Sequence, residues 1–218
     1  MNTPMHLCMR AAMWLGTTGL LRAGEFTRKP SGNPAPQLQH LTLHDKNGTE
    51  ISVSSLTDTS PAPLYMTLKL TASKTDPFRA GTNVIVSHPR AITHMVTYLR
   101  QRSQTLARLP LFVDADAQSL SAAALVKFTQ EMISLARIPN AHLFLGHSFR
   151  KGGATSLHEA GHPDSLIKSM GRWASFAFAT YIKTPLSMLI AAGRSLEKVE
   201  RSSSTELPKA FWETMDSA

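Results

Sequence analysis

Cysteine is almost missing from this 218-residue chain: Cys8 stands alone. No intramolecular disulfide can form, so a disulfide framework is excluded and a reducing, intracellular setting is the expectation. Long apolar runs are missing too, and no stretch approaches the roughly 18 uninterrupted apolar residues of a membrane helix. Paired carboxylates and Cys/His clusters with metal-ligand spacing are absent from the sequence pattern. His40, His44, His88, His94, His142, His158 and His162 are scattered, and each reads as a structural or surface residue. Acid is absent from the first 24 residues, which hold Arg10, Arg22 and an apolar run from Ala11 to Leu21. That composition faintly resembles a targeting peptide. Gly16, Thr17, Thr18 and Gly19 break the run, however, and no basic segment opens it, so a helix entering the core is expected instead.

What is present describes a globular chain of one domain, or one domain with a tail. Apolar residues make up 42% and charged residues 17%, which excludes wholesale disorder, and no internal repeat is visible. The net charge is +8, with a pI near 9.9. A basic excess of this size favours polyanionic partners. From Lys69 to Arg108, seven basic residues (Lys69, Lys74, Arg79, Arg90, Arg100, Arg102, Arg108) face the single acid Asp76. A solvated face would account for such a run, and a nucleic-acid surface requires supporting chemistry nearby.

Apolar spacing predicts a helix over Met5 to Leu21, then a break dense in proline and glycine at 30–36. Strand-like content follows at Gln39 to Leu43, Glu50 to Val53, Leu64 to Leu70 and Asn83 to Ser87, divided by Asn47-Gly48 and Thr75-Asp76-Pro77. After Pro89, the residues Ile92, Met95, Val96 and Leu99 mark one face of a basic helix. Another helix carries Ala124, Leu125, Phe128, Met132 and Leu135, with Ser119 or Ser121 as its N-cap. Helices are expected at His147 to Ala160, Pro163 to Met170, Ser175 to Ile182 and Pro185 to Glu200, with Gly161 as a stop. The sum is a mainly helical α+β fold with a small antiparallel sheet.

Chemistry begins at His147-Ser148-Phe149-Arg150, where i to i+3 spacing would set an imidazole and a guanidinium on one helix face. Arg22 ends the apolar first helix, with Glu25 three residues on to pair with it; Lys74 sits in a turn between two strand-like runs. Gly171-Arg172-Trp173 precedes Tyr181, one of three tyrosines. Each feature alone has a bland explanation: a surface pair, a helix salt bridge, a turn lysine, a packed Trp. In this order, Arg22, Lys74, His147-x-x-Arg150, Trp173 and Tyr181 resemble the active-site series of the tyrosine recombinase and phage integrase family. The phrases Gly146-His147-Ser148-Phe149-Arg150-Lys151-Gly152-Gly153-Ala154-Thr155, Ile167-Lys168-Ser169-Met170-Gly171-Arg172-Trp173 and Ser73-Lys74-Thr75-Asp76-Pro77-Phe78 look most like the recombinases of Crypton-type eukaryotic mobile elements. The resemblance covers about residues 10 to 195. Two departures stand out. Arg22 and Lys74 are 52 residues apart, which implies an enlarged sheet region. The family's His or Trp usually lies nine positions before the tyrosine; here Arg172 lies nine before Tyr181 and Trp173 eight. Either could face the phosphate, and Trp173 is favoured because an indole N–H substitutes there in the family.

The resemblance implies a division of labour that suits the chemistry. Opening a phosphodiester concentrates negative charge on the non-bridging oxygens, and the guanidinium forks of Arg22 and Arg150 match two of them. Tyr181 would attack phosphorus, helped by His147; Lys74 would protonate the departing 5′-oxygen; Trp173 would donate one more hydrogen bond. Covalent capture on tyrosine conserves the energy of the phosphodiester, so religation requires neither ATP nor a metal, and no cofactor is expected.

The partner implied is double-stranded DNA, with self-association during synapsis, no membrane, and a nuclear location inferred from substrate alone. Residues 1–200 are expected to be the catalytic domain and 201–218 a polar tail. Because 21 residues precede Arg22, the helical domain that closes a clamp around DNA in the family is expected to be missing from this sequence. Alternatives are a DNA-binding remnant without catalysis, a type IB topoisomerase-like enzyme, and a helix-turn-helix module over Ala154 to Arg172 with Gly161 at the turn. The last leaves Arg22, Lys74 and Tyr181 unexplained.

Overall fold

The computed structural model describes residues 3–28, 35–53, 56–57, 60, 62–70, 81–102, 108–114, 118–175, 179 and 190–191. Backbone contacts divide the chain into Met1–Ile182 and Lys183–Ala218, and every element named below lies in the first unit. Lys74, Tyr181, the polar tail and nearly all of the two expected helices after Ser175 fall outside the described residues.

Helix α1 (Pro4–Thr18) starts where its sequence directs: Thr3 Oγ1 accepts the His6 N–H, and Pro4 takes a first-turn position that needs no donor. It buries Leu7, Cys8, Ala11, Ala12 and Leu15, one stripe at helical spacing. Burial raises the Cys8 thiol to about 11. The helix ends three residues earlier than expected, because Leu20 turns into the left-handed region at φ 49°. Leu21 N–H then bonds Gly16 O and Leu20 N–H bonds Thr17 O, the paired closure of a Schellman motif. The short helix α2 (Ala23–Phe26) follows at once and buries Phe26 completely against Phe112 and Phe149, a burial contributing about 2–3 kcal/mol.

Strands β1 (Leu41–His44), β2 (Glu50–Ile51), β3 (Tyr65–Leu70) and β4 (Thr82–Val86) form one antiparallel sheet in the order β2-β1-β3-β4. Leu43↔Met66↔Val86 and Leu41↔Leu68↔Val84 are cross-strand rows on the buried face, whereas Thr42, His44, Thr67 and Ile85 point outward. A period of two therefore separates core from solvent. Gln39 and His40, expected as the start of the first strand, belong instead to a 3-10 turn over Leu38–His40, in which the His40 ring accepts the Gln37 N–H at 3.0 Å.

Helix α3 (Pro89–Gln101) packs its Ala91, Ile92, Met95, Val96 and Leu99 face against the core shared with α1. Helix α4 (Ala122–Leu135) is capped by Ser121, whose Oγ accepts the Ala124 N–H at 3.1 Å. Helices α5 (Ser148–Glu159) and α6 (Asp164–Met170) complete the described part. Gly161, at φ 81°, closes α5 as expected, with Gly161 N–H on His158 O and His162 N–H on Leu157 O. Gly153 brings α5 against the end of α1, where an added Cβ would lie 2.1 Å from Thr17 O. Most buried side chains form one core; Leu20, Ala154, Ile167 and Trp173 form a second, smaller one. No described helix is long and apolar enough to cross a membrane.

Candidate active site

The seam between the two cores gathers three of the chain's arginines. Arg22 is the N-cap of α2, and Glu25, at the third helical position, accepts the Arg22 backbone N–H at 2.7 Å. This is one arm of a capping box, and it fixes the Glu25 carboxylate beside the helix start. Three guanidinium groups then converge on Glu25: Arg22 at 3.7 Å, Arg150 at 3.6 Å and Arg172 at 3.5 Å. Three positive charges against one negative leave a local excess of +2. Their exposures differ: the Arg22 side chain is 47% exposed, those of Arg172 and Arg150 only 15% and 4%. Two cations are thus held inside while the third reaches solvent.

Arg150 lies on the first turn of α5. Its guanidinium donates to Gly171 O and sits 4.3 Å from the Trp173 ring centroid. Ion pair, hydrogen bond and aromatic face together replace the water that a buried cation has lost. His147 is the N-cap residue of α5 and exposed, three positions before the buried Arg150. The imidazole and guanidinium expected on one helix face therefore differ in exposure, His147 at the surface and Arg150 buried. The start of α5 is tied to α2 by the Ala23 N–H bond to Gly146 O at 2.8 Å, which brings the residue next to Arg22 against the residue next to His147. A side chain at Gly146 would press on the Ala23 Cβ at 3.2 Å.

The phrase Gly171-Arg172-Trp173 now has a physical reason at each position. The Trp173 ring folds back over Gly171, where a Cβ would fall 1.6 Å from a ring carbon, so only glycine fits. Arg172 adopts φ 57° and closes α6 with a Schellman motif of its own: Arg172 N–H to Ser169 O and Trp173 N–H to Lys168 O. From there its guanidinium reaches Gly19 O and Leu20 O at 3.4 Å each and Met170 O at 3.2 Å. A cation thus rests on the carbonyl-rich, negative end of α1. The Arg172 guanidinium is held below its ordinary pKa chiefly by burial; Glu25 opposes that shift and Arg22 adds to it.

Of the residues singled out from sequence, Arg22, Arg150 and Trp173 converge through Glu25 and the ring contact, and His147 lies at the edge of the same seam. Lys74 and Tyr181 lie outside the described residues. Sequence reasoning paired Glu25 with Arg22 but missed its contacts to Arg150 and Arg172, which nothing local could announce. Among the described residues no group of three His, Cys, Asp or Glu could hold a metal ion.

No protein-family model and no curated protein matches the sequence. Solved structures do match in three dimensions. XerH site-specific recombinase bound to palindromic difH substrate, in a post-cleavage complex, superposes with a TM-score of 0.59 at 17% identity, over 90% of this chain and 48% of that one. This chain shares its fold with site-specific recombinases. A pre-cleavage XerH complex gives 0.56 at 14% identity, over 88% and 48%; XerA recombinase gives 0.56 at 16%, over 89% and 63%. The chain spans about half the length of XerH and under two thirds of XerA. The α+β architecture with a small antiparallel sheet is therefore the one expected from sequence.

Proposed function

We propose that this chain is the catalytic portion of a tyrosine recombinase that breaks and rejoins double-stranded DNA. One observation carries the reading: Arg22 and Arg150, 128 positions apart in sequence, meet on Glu25 beside Trp173, in a fold shared with site-specific recombinases. A +2 cluster with one half-exposed guanidinium and two embedded ones suits a phosphodiester, whose charge grows during attack. In this mechanism the Tyr181 hydroxyl attacks phosphorus and forms a 3′-phosphotyrosine, its proton passing toward His147. The 5′-oxygen leaves with a proton from Lys74, and the 5′-hydroxyl of the incoming strand later reverses the step. Arg22 and Arg150 neutralise the non-bridging oxygens. Arg172 is a third cation with a dual place: it lies nine positions before Tyr181, where the family carries His or Trp, and it braces Glu25. The XerH complexes with difH substrate support DNA as the partner. The likeness of the three sequence phrases to Crypton-type elements supports a mobile-element origin, with self-association at synapsis and a nuclear location.

The deciding experiment traps a covalent adduct on a nicked suicide duplex. Wild-type protein is expected to form adduct; Tyr181→Phe is expected to form none while DNA affinity persists. Arg150→Ala should slow adduct formation about a hundredfold, from loss of about 3 kcal/mol of transition-state stabilisation. Adduct from Tyr181→Phe would assign another nucleophile, and DNA binding without any wild-type adduct would leave a DNA-binding protein.

A further inference from the structure

Helices α1 and α3 pack side by side and carry no carboxylate between them, a feature the proposed chemistry does not use. On their exposed side lie Arg10 and Trp14 from α1, with His88, Arg90 and His94 from the start of α3. The Trp14 indole stacks with both imidazoles, 5.0 Å from His88 at 27° and 6.0 Å from His94 at 15°. Burial first, then the charges of Arg10 and Arg90, holds His94 below the ordinary imidazole range, which places both guanidiniums within electrostatic reach of that ring. A merely solvated basic face scatters its cations on flexible stems. Here a half-buried aromatic ring stacks with two imidazoles, and two arginines lie within electrostatic reach of one of them.

From this arrangement we infer that the α1–α3 face is a second DNA-backbone contact, with Arg10 and Arg90 on separate phosphates and the stacked His88, Trp14 and His94 rings presenting an edge to the sugar-phosphate wall. Packed helices run about 8–10 Å apart, so cations on the two helices serve different phosphates and not one. Part of the basic excess between Lys69 and Arg108 thereby has a use separate from the chemistry at Glu25. The contact is indifferent to base sequence, because its proposed partners are phosphate and sugar, which carry no sequence information. The choice of duplex DNA as the polyanion rests on the proposed function.

The test measures binding of a mixed-sequence duplex to the full chain by fluorescence anisotropy across a salt series, for wild-type protein and Arg10→Gln/Arg90→Gln. Each phosphate contact contributes about 0.9 to the slope of log affinity against log salt, so the double variant should lower that slope by about two and weaken all sequences alike. Both positions are exposed, and an unchanged circular dichroism spectrum will verify folding. Adduct formation at saturating DNA should stay at the wild-type level. An unchanged slope overturns the inference and leaves the proposed function intact. A lowered slope with no wild-type adduct removes the proposed function and keeps the surface. If the slope is unchanged but a polyglutamate peptide loses its hold on the variant, the face takes an acidic protein segment and the inference is wrong.

Discussion

Glu25 is the residue on which the site turns. A carboxylate with a 10% exposed side chain among three guanidiniums is unusual, because buried charge is stabilised only by well-placed partners. Its substitution should therefore act on stability as well as chemistry. Glu25→Gln keeps an acceptor for the Arg22 N–H but leaves Arg150 and Arg172 as neighbouring uncompensated cations. The expected cost is about 3 kcal/mol, the low end for removing one partner of a buried pair, read from the midpoint of urea unfolding. Arg22→Gln removes a half-exposed partner and should cost less than about 1 kcal/mol. Equal losses for the two variants would show that Glu25 is not the common counter-ion. At this scale the sequence was partly readable: Glu25 three positions after Arg22 is a local signal, and Arg150 three after His147 is another. The Glu25 contacts to Arg150 and Arg172 span 125 and 147 positions, and such contacts leave no trace in spacing.

Helix ends set much of the geometry. Four helices, α1, α4, α5 and α6, close with paired Schellman bonds, and the left-handed residue is Leu20, Arg137, Gly161 and Arg172 in turn. Only Gly161 was visible beforehand, because glycine is the usual occupant; Leu and Arg at positive φ carry no such label, and tertiary packing of Leu20 and the Arg172 bonds hold them there. Starts were easier to read: the polar-then-apolar pattern around Ser121, with Ser119 as its rival, and the Pro89 start both belong to the first turn itself. Strain without function should be removable. Arg137→Gly, away from the seam, is expected to stabilise the protein by up to about 1 kcal/mol in urea unfolding. Gly171→Ala is the opposite case: its Cβ would collide with the Trp173 ring and lift that ring from Arg150, so adduct formation should fall steeply and Trp fluorescence should shift. Unchanged fluorescence in Gly171→Ala would mean the ring does not rest there.

At the scale of the whole molecule, alternating burial along β1, β3 and β4 and the helical stripes of α1 and α3 made the fold class readable, since each is a repeat of local chemistry. The division of apolar side chains into two clusters was not, because periodicity reports which face is buried and never against what. That division predicts two tiers of cooperativity. The cluster of Leu20, Ala154, Ile167 and Trp173 is small, yet it seats Trp173 and Arg172, while the larger core holds α1, the sheet and α3. Small clusters open at lower free energy than the whole fold. Native-state hydrogen exchange should show the Arg172 and Trp173 amides, bonded to Ser169 O and Lys168 O, exchanging through a subglobal opening, well before the mid-α1 amides at Ala11 and Ala12. Exchange of all four with one common free energy would show a single cooperative unit. With two tiers, mild heat or low urea is expected to dismantle the Arg150 seat while most helical signal survives, a loss that reverses without global unfolding.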